Sequence, residues 1–178
     1  FGKTEICMRA AFRVVINGGQ VLVLVPTSVL AIQHLHVFRE RFKDCGANIE
    51  AYTRFSSLQE KRAIKECWVR GNIDILIGTS SFVYDSVFIK HANLFVIDEE
   101  HRFGVKEKEG LLGSVVSKDV LLMSATPIPR SLNLGLSGLS SISILRSPPV
   151  LRKPIQTFVH YFDDSLIQKA IGFEVDRG

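Results

Sequence analysis

Cysteine is scarce in this sequence, and its placement excludes two classes of protein. Only Cys7, Cys45 and Cys67 occur, at wide spacings and without a Cys-x-x-Cys pair. A disulfide-stabilised secreted domain needs paired cysteines, and a zinc site needs ligands at short, fixed spacings. The three thiols therefore indicate reduced and mostly buried side chains in a cytoplasmic protein.

Long apolar runs and a strong net charge are also missing. The apolar runs at 21–25 and 94–97 fall far short of the ~20 residues that a membrane helix needs, and no signal peptide is visible. The 22 Lys+Arg and 18 Asp+Glu leave a net charge of +4. This charge permits a nucleic-acid partner but excludes histone-like charge density. No membrane partner is expected.

Apolar strands alternate with helical segments of about a dozen residues along most of the chain. This alternation predicts crossover connections and a parallel sheet sandwiched by helices. Such sheets bind ligands at the carboxyl ends of their strands, which is where the polar motifs of this sequence fall. The predicted strands lie at 20–25, 49–53, 74–77, 94–97 and 120–123, and the predicted helices at 3–16, 28–43 and 57–70.

A group of prolines at 148–154 indicates a linker. A strand at 155–161 and a helix at 165–173 are predicted after it. We therefore predict one domain over 1–150, and a linker with the start of a second domain over 151–178.

An apolar stripe marks the second predicted helix: Ala31, Leu35, Phe38 and Phe42. Ser28 is the predicted N-cap of that helix. His34 and His36 show no metal-ligand spacing, and two positions apart on a helix they face different ways. We interpret both histidines as surface or satisfied polar groups.

Gly2-Lys3-Thr4 opens the first predicted helix and has the residue types of a phosphate-binding loop. Gly2 lets the backbone approach closely, Lys3 would reach the β- and γ-phosphates of ATP, and Thr4 would ligate Mg²⁺. The first glycine of the full pattern would lie before Phe1, so we expect a fragment that begins inside this loop. Taken alone, the tripeptide fits an ordinary loop equally well.

An acidic cluster follows the apolar strand at 94–97. Phosphoryl transfer to water needs a carboxylate on the metal and a second group that orients or deprotonates the water. Asp98 suits the metal and Glu99 suits the water. An acidic turn is the alternative, but the occurrence of Gly2-Lys3-Thr4 earlier in the chain, three strand–helix units before it, favours an ATPase.

A third motif, Ser124-Ala125-Thr126-Pro127, also follows an apolar strand. The hydroxyls of Ser124 and Thr126 can hydrogen-bond the acidic motif and sense the γ-phosphate. Taken singly, this segment reads as an ordinary turn, but as the third motif of a series it supports the ATPase interpretation.

These three motifs, in this order, resemble those of the superfamily 2 helicases. The resemblance implies a RecA-like (P-loop NTPase) fold with ATP and Mg²⁺ as cofactors. Thr27 and Gln33 lie in a segment similar to the family's DNA-contacting motif Ia, and Thr79 and Ser80 in one similar to its motif Ic. Hydroxyl and amide groups at loop–helix junctions suit phosphate contacts, which carry no base-sequence information.

The resemblance narrows to the bacterial transcription-repair coupling factors, with the RecG branch-migration helicases as close relatives. Position 101, which is His here, is often Gln in coupling factors, whereas RecG proteins share the His-Arg-Phe-Gly-Val block, so the RecG alternative stays open. The resemblance rests on these blocks: Phe1-Gly2-Lys3-Thr4-Glu5, Thr53-Arg54-Phe55, 98–105, 124–132, Leu136-Ser137-Gly138 and Ser147-Pro148-Pro149.

The resemblance implies an ATP-dependent translocase on double-stranded DNA. Such a protein displaces stalled RNA polymerase and recruits an excision-repair protein, both through other domains of the parent chain. ATP would lie between this domain and a second RecA-like domain in cis, whose arginine fingers are absent here. We therefore expect little ATPase activity from the fragment alone.

Residue roles follow from the same resemblance. Catalytic roles are implied for Lys3, Asp98, Glu99 and His101, and an ATP contact for Glu5. Coupling roles are implied for Ser124, Thr126 and Arg130. Arg54 is a candidate for DNA contact or domain coupling; a surface arginine is its alternative, and a structural ion pair is the alternative for Arg130.

Two rival functions stay open. One is a RecG-like fork-reversal helicase. The other is a RecA-like module that binds DNA or protein and hydrolyses nothing. The presence of Lys3, Thr4, Asp98 and Glu99 together argues against the second rival, because a scaffold needs none of them.

Overall fold

Five described strands form one sheet in which every neighbouring pair is parallel. Their order across the sheet is β2-β3-β1-β4-β5, so the predicted parallel sheet is confirmed. The strands are β1 (Val21–Leu24), β2 (Ile49–Tyr52), β3 (Ile75–Gly78), β4 (Leu94–Ile97) and β5 (Asp119–Leu122). The computed structural model describes residues 2–79, 85–99, 103, 113, 118–125, 141–145, 157 and 159–177.

Helices cover both faces of this sheet. The α1 and α2 helices share one apolar cluster with the sheet, whereas α3 and α4 contribute to a second cluster on the opposite face. The helices are α1 (Lys3–Val15), α2 (Ser28–Phe42), α3 (Leu58–Val69), α4 (Ser86–His91) and α5 (Asp164–Arg177), with a short 3₁₀ helix at Lys43–Cys45.

Burial on both faces explains the continuous apolar runs of the central strands. Every residue of β1, β3 and β4 is buried. In β1, Val21 and Val23 pack on the side of α1 and α2, whereas Leu22 and Leu24 pack on the side of α3 and α4. A strand with two covered faces has no polar face, so its sequence does not alternate.

Side-chain caps begin two of the helices. Ser57 accepts a hydrogen bond from the Glu60 amide (3.2 Å), and the Glu60 carboxylate accepts one from the Ser57 amide (2.6 Å), which forms a complete capping box. At α2 the predicted cap is wrong by one residue. Thr27 caps this helix by accepting from the Leu30 amide, and Ser28 is its first helical residue.

Two further expectations need correction, and one helix was not expected. Cys45 is exposed and Cys67 half-buried, so Cys7 is the one fully buried thiol of the three. Residues 157 and 159–161 of the predicted strand at 155–161 are not extended into a sheet. The α4 helix was not predicted, because six residues are too few to show a helical period.

The chain divides into two compact units, Phe1–Pro148 and Pro149–Gly178. The sheet lies in the first unit, and α5 lies in the second. Among the described residues, none of the helices combines the length and the apolar character that crossing a bilayer requires.

Candidate functional site

The carboxyl ends of the five parallel strands meet at one edge of the sheet. Because the strand order is known, the polar residues after each strand can be placed along this edge. From β2 to β5 they are Arg54, Thr79, Thr27, Asp98 with Glu99, and Ser124. Of the residues predicted to contact DNA, Arg54, Thr79 and Thr27 therefore lie on the β2, β3 and β1 side, and the acidic pair lies on the β4 side.

The first turn of α1 has the geometry of an anion site. Gly2 is its N-cap residue, with a φ of 69°, a left-handed conformation that strains any residue with a Cβ. It offers no side chain to cap the first backbone amides. A helix N-terminus of this kind favours negative charge, because its amides and its dipole both point at the ligand.

Lys3 connects this helix end to the acidic pair. Its Nζ donates to the Glu99 carboxylate and lies 3.8 Å from Oδ1 of Asp98. The side chains of Lys3, Asp98 and Glu99 are only 22%, 10% and 23% exposed. Lys3 is 96 positions from Glu99 in sequence, yet these three predicted catalytic residues form one partly buried ion cluster.

Asp98 is held at both carboxylate oxygens. Oδ1 accepts from the backbone amide of Glu99 (3.0 Å), and Oδ2 lies 3.2 Å from Nε2 of His34. Burial acts to raise the pKa of Asp98, but the hydrogen bond from His34, the charge of Lys3 and the Glu99 amide outweigh it and hold the pKa below its ordinary value. The carboxylate is thus ionised, as a metal ligand must be.

Glu99 has a left-handed backbone, with a φ of 51°. For a residue with a side chain this conformation costs about 1–2 kcal/mol. Its amide bonds to Asp98 and its carboxylate to Lys3, so the contacts of the cluster hold the turn in place. Backbone strain of this type is concentrated at functional sites.

Thr4 and Glu5 follow Lys3 in the first turn of α1. Thr4 is half-buried in the first turn of α1. Glu5 accepts hydrogen bonds from Arg9 (2.9 Å) and Arg41 (3.2 Å), and these bonds hold its pKa below the ordinary value. Glu5 is thus paired at the surface with α2.

The donor set at the cluster fits Mg²⁺ bound together with a phosphate group. Thr4, in α1, carries a hydroxyl, and Asp98, directly after β4, carries a carboxylate. Lys3 links these two elements through its contacts with the acidic pair. Within the described part of the chain, no group of three His, Cys, Asp or Glu side chains could enclose a metal. Mg²⁺ is commonly held by one or two protein ligands and substrate phosphates rather than by an all-protein cage.

The other half of the edge carries neutral polar groups and one arginine. Thr27 and Gln33 are exposed on α2, and Thr79 is half-buried after β3. Arg54 is exposed, with its guanidinium 5.1 Å from the centre of the Phe55 ring. These side chains offer hydroxyl, amide and guanidinium groups to a ligand that lies along this side of the edge.

Four predicted residues lie outside the described part of the chain: Ser80, His101, Thr126 and Arg130. Ser124, which the structure describes, is half-buried just beyond β5 and beside the β4 end of the edge.

His34 is the residue that sequence reasoning missed. It was expected to be a surface or satisfied polar group, yet it is 8% exposed and contacts Asp98. The signal was present in the sequence. His34 lies three residues after Ala31 and four before Phe38, so it falls within the apolar stripe of α2 that packs against the sheet.

Known proteins similar to this chain bear on its identity. A family model described as DEAD/DEAH box helicase matches residues 1–134. The transcription-repair-coupling factors of Haemophilus influenzae and Escherichia coli strain K12 are 45% and 46% identical to it over 178 residues, and that of Bacillus subtilis is 40% identical. Each alignment covers 100% of this chain and 15–16% of the relative, so the chain spans about a sixth of their length.

Solved structures support the fold. The structure of RecG bound to a three-way DNA junction matches 99% of this chain and 24% of that chain, with a TM-score of 0.76 and 33% identity. The UvsW helicase of bacteriophage T4 matches 70% of this chain and 43% of its own, with a TM-score of 0.55 and 19% identity, which shows the fold alone. With its five-stranded parallel sheet and a family match over most of its length, the chain belongs to the DEAD/DEAH box helicase family and has the RecA-like α/β fold.

Proposed function

We propose that this chain is the first RecA-like, ATP-binding domain of a double-stranded DNA translocase that acts in transcription-coupled repair. The observation that carries the proposal is the ion cluster of Lys3, Asp98 and Glu99 at the carboxyl edge of the sheet. The similarity of the whole chain to transcription-repair-coupling factors supports the assignment to repair.

The residues of the cluster divide the work of ATP hydrolysis. Gly2, Lys3 and the first amides of α1 would bind the phosphates, and Thr4 and Asp98 would hold Mg²⁺. Bound Mg²⁺-ATP supplies a phosphoryl group whose developing charge the metal neutralises. Glu99, beside Asp98, would orient the attacking water and accept its proton.

Lys3 changes partner in this scheme. In the structure its ammonium group is paired with Glu99 and lies near Asp98. In the proposed complex with ATP, the Lys3 ammonium group would bind phosphate oxygens, and the Glu99 carboxylate would accept a hydrogen bond from the attacking water. Asp98 would hold the metal in this arrangement, and Glu99 would orient the water. A catalytic role is proposed for His101, and a contact with ATP is proposed for Glu5.

The polar half of the edge is the proposed DNA track. Thr27, Gln33, Thr79 and Ser80 would contact phosphates through neutral groups, and Arg54 through its charge. Neutral contacts of this type do not read the base sequence, as a motor that moves over any DNA requires. A modest net charge of +4 is consistent with a track that a second RecA-like domain completes.

Coupling between the two halves is assigned to Ser124, Thr126 and Arg130, which follow β5 in sequence. Displacement of stalled RNA polymerase and recruitment of an excision-repair protein would depend on other parts of the parent chain. The proposed location is the cytoplasm, where bacterial DNA is transcribed and repaired.

Substitutions in the full-length protein test the motor. We expect Lys3→Ala and Glu99→Gln each to lower DNA-dependent ATPase activity by about two orders of magnitude or more, because each removes a group that acts on the transferred phosphoryl group or the water. Lys43→Ala is the matched control, since Lys43 is exposed and paired only with Glu40 within the described residues. Near-normal turnover in both site variants would refute the assignment of hydrolysis to this cluster. A wild-type protein without DNA-dependent ATPase activity would favour the rival module that does not hydrolyse ATP.

A RecG-like fork-reversal helicase is the second candidate, favoured by the TM-score of 0.76 to RecG over 99% of this chain. Two assays on the full-length protein separate the candidates. The coupling-factor proposal predicts ATP-dependent release of RNA polymerase from a stalled complex, with little reversal of a model replication fork. Efficient fork reversal without polymerase release would favour the RecG-like function.

A further inference from the structure

His34 occupies an unusual position for a histidine. It lies in the second turn of α2, is 8% exposed, and places Nε2 3.2 Å from Oδ2 of Asp98. Its ring packs against Phe38, with 6.1 Å between ring centres. The imidazole is thus enclosed in the core, with one polar atom directed at the acidic cluster.

The surroundings of His34 determine which ring nitrogen carries the proton. Its Nδ1 is buried and has no hydrogen-bond partner among the described residues. A proton on Nδ1 would therefore be a buried donor without an acceptor, which is costly. The tautomer that fits carries its proton on Nε2 and donates it to Asp98. The imidazole then acts as a donor to one carboxylate oxygen.

Asp98 is consequently fixed from two sides. Oδ2 is held by His34, while Oδ1 accepts from the Glu99 amide and faces Lys3. A carboxylate bonded at one oxygen can rotate about its last torsion, but one bonded at both is confined to a single orientation. The remaining lone pairs then point in fixed directions, as a metal ligand requires.

The helix that carries His34 also carries two of the proposed DNA contacts. Thr27 caps α2 and is exposed, and Gln33 is the exposed neighbour of His34. The preceding strand, β1, is the one that separates β4 from the β2 and β3 side of the sheet. A displacement of α2 by a ligand at Thr27 or Gln33 would therefore reach Asp98 through His34.

We propose that His34 is a positioning residue that orients the Asp98 carboxylate for Mg²⁺ and links the DNA-facing helix α2 to the nucleotide site. The inference rests on the proposed function. It assigns no direct contact between His34 and nucleotide or metal; His34 acts through Asp98.

The test compares two replacements in the full-length protein. His34→Leu removes the donor but keeps an apolar side chain, whereas His34→Gln places an amide nitrogen near the position of Nε2. His36→Leu is the matched control, because His36 is exposed on the same helix. Each variant is titrated with Mg²⁺ while the binding of a fluorescent methylanthraniloyl derivative of ADP is followed.

We expect His34→Leu to raise the Mg²⁺ concentration for half-maximal binding by about tenfold or more, as loss of a group that holds a metal ligand does elsewhere. His34→Gln should stay within about threefold of wild type, because one hydrogen bond is retained. An unchanged Mg²⁺ requirement in His34→Leu, or equal losses in Leu and Gln, would overturn the positioning role.

The link to DNA has its own readout. In the wild type, saturating double-stranded DNA should change the affinity for Mg²⁺-nucleotide, because the two sites are coupled. In His34→Leu this change should be smaller, because the contact between α2 and Asp98 is lost. A full shift in His34→Leu would overturn the link. If His34→Leu fails to fold, His34→Asn is used instead, because the asparagine side chain is too short to reach Asp98. Thermal unfolding then checks that the His34→Asn variant is folded.

Failure of this inference is distinguishable from failure of the proposed function. If Lys3→Ala abolishes hydrolysis while His34→Leu keeps the wild-type Mg²⁺ requirement, the ATPase proposal stands and His34 has no positioning role. If Lys3→Ala retains hydrolysis, the proposed function itself is wrong.

Discussion

Replacement of Asp98 measures how much the acidic cluster contributes to folding. Asp98 is 7% exposed, and its carboxylate accepts from the Glu99 amide and from His34. Asp98→Ala removes both acceptors and leaves the buried imidazole of His34 with two unpartnered nitrogens. A buried polar group without its partner costs about 1–3 kcal/mol. We therefore expect the free energy of unfolding to fall by about 3 kcal/mol.

Asp98→Asn is the informative comparison. The amide oxygen of Asn can still accept from Glu99, so only the contact with His34 and the charge facing Lys3 are disturbed. Hydrogen bonds to a neutral acceptor contribute about 1 kcal/mol each, and those to a charged one somewhat more. We expect a loss of about 1 kcal/mol for Asp98→Asn. Asp119→Ala, at an exposed aspartate, should change the stability by less than about 0.5 kcal/mol.

Trp68 provides the assay. It is the one tryptophan of the sequence and is completely buried in the cluster on the α3 side of the sheet. Its fluorescence during urea unfolding of the 178-residue chain reports the stability, and linear extrapolation gives the free energy in water. A chain with Asp98→Ala that is as stable as wild type, or more stable, would refute the reasoning from hydrogen bonding.

Two further predictions concern the same turn. Because Glu99 has a φ of 51°, Glu99→Gly should be more stable than Glu99→Ala by about 1 kcal/mol in urea unfolding; equal stabilities would show that the turn relaxes without cost. The pKa of Asp98 is held below 3.8, so its contribution is present above that pH and is lost as the pH falls through the lowered pKa. The stability difference between wild type and Asp98→Asn should therefore narrow on acidification from about pH 5, and a widening would contradict the direction of the shift.

Much of the fold was predictable because its strands are buried on both faces. Such strands form short continuous apolar runs between turn residues, and β4 was predicted with the bounds that the structure gives it. The start of α3 at its capping box was equally visible. The α4 helix was not, since six residues that pack through Phe88 and Ile89 show no period.

The candidate site was predictable as a set of residues but less so as a set of contacts. The residue types and order of Lys3, Asp98 and Glu99 predict ATP hydrolysis, and these residues form one ion cluster. The pairing of Glu5 with Arg41 joins two helices in space, and no local pattern predicts it. The burial of His34 does not follow from its residue type but from its position in the apolar stripe of α2.

The parallel register of the sheet has a consequence for synthesis of the chain. The central strand β1 pairs with β3 and β4, so Val21 lies beside Ile75 and Leu94. During translation β1 leaves the ribosome long before either partner exists. Sheets that depend on such distant pairings fold slowly and expose apolar segments meanwhile. The five residues at 21–25 are buried in the folded chain but stay exposed until residue 97 has been synthesised. They are thus the apolar segment of this unit that a chaperone would bind during synthesis.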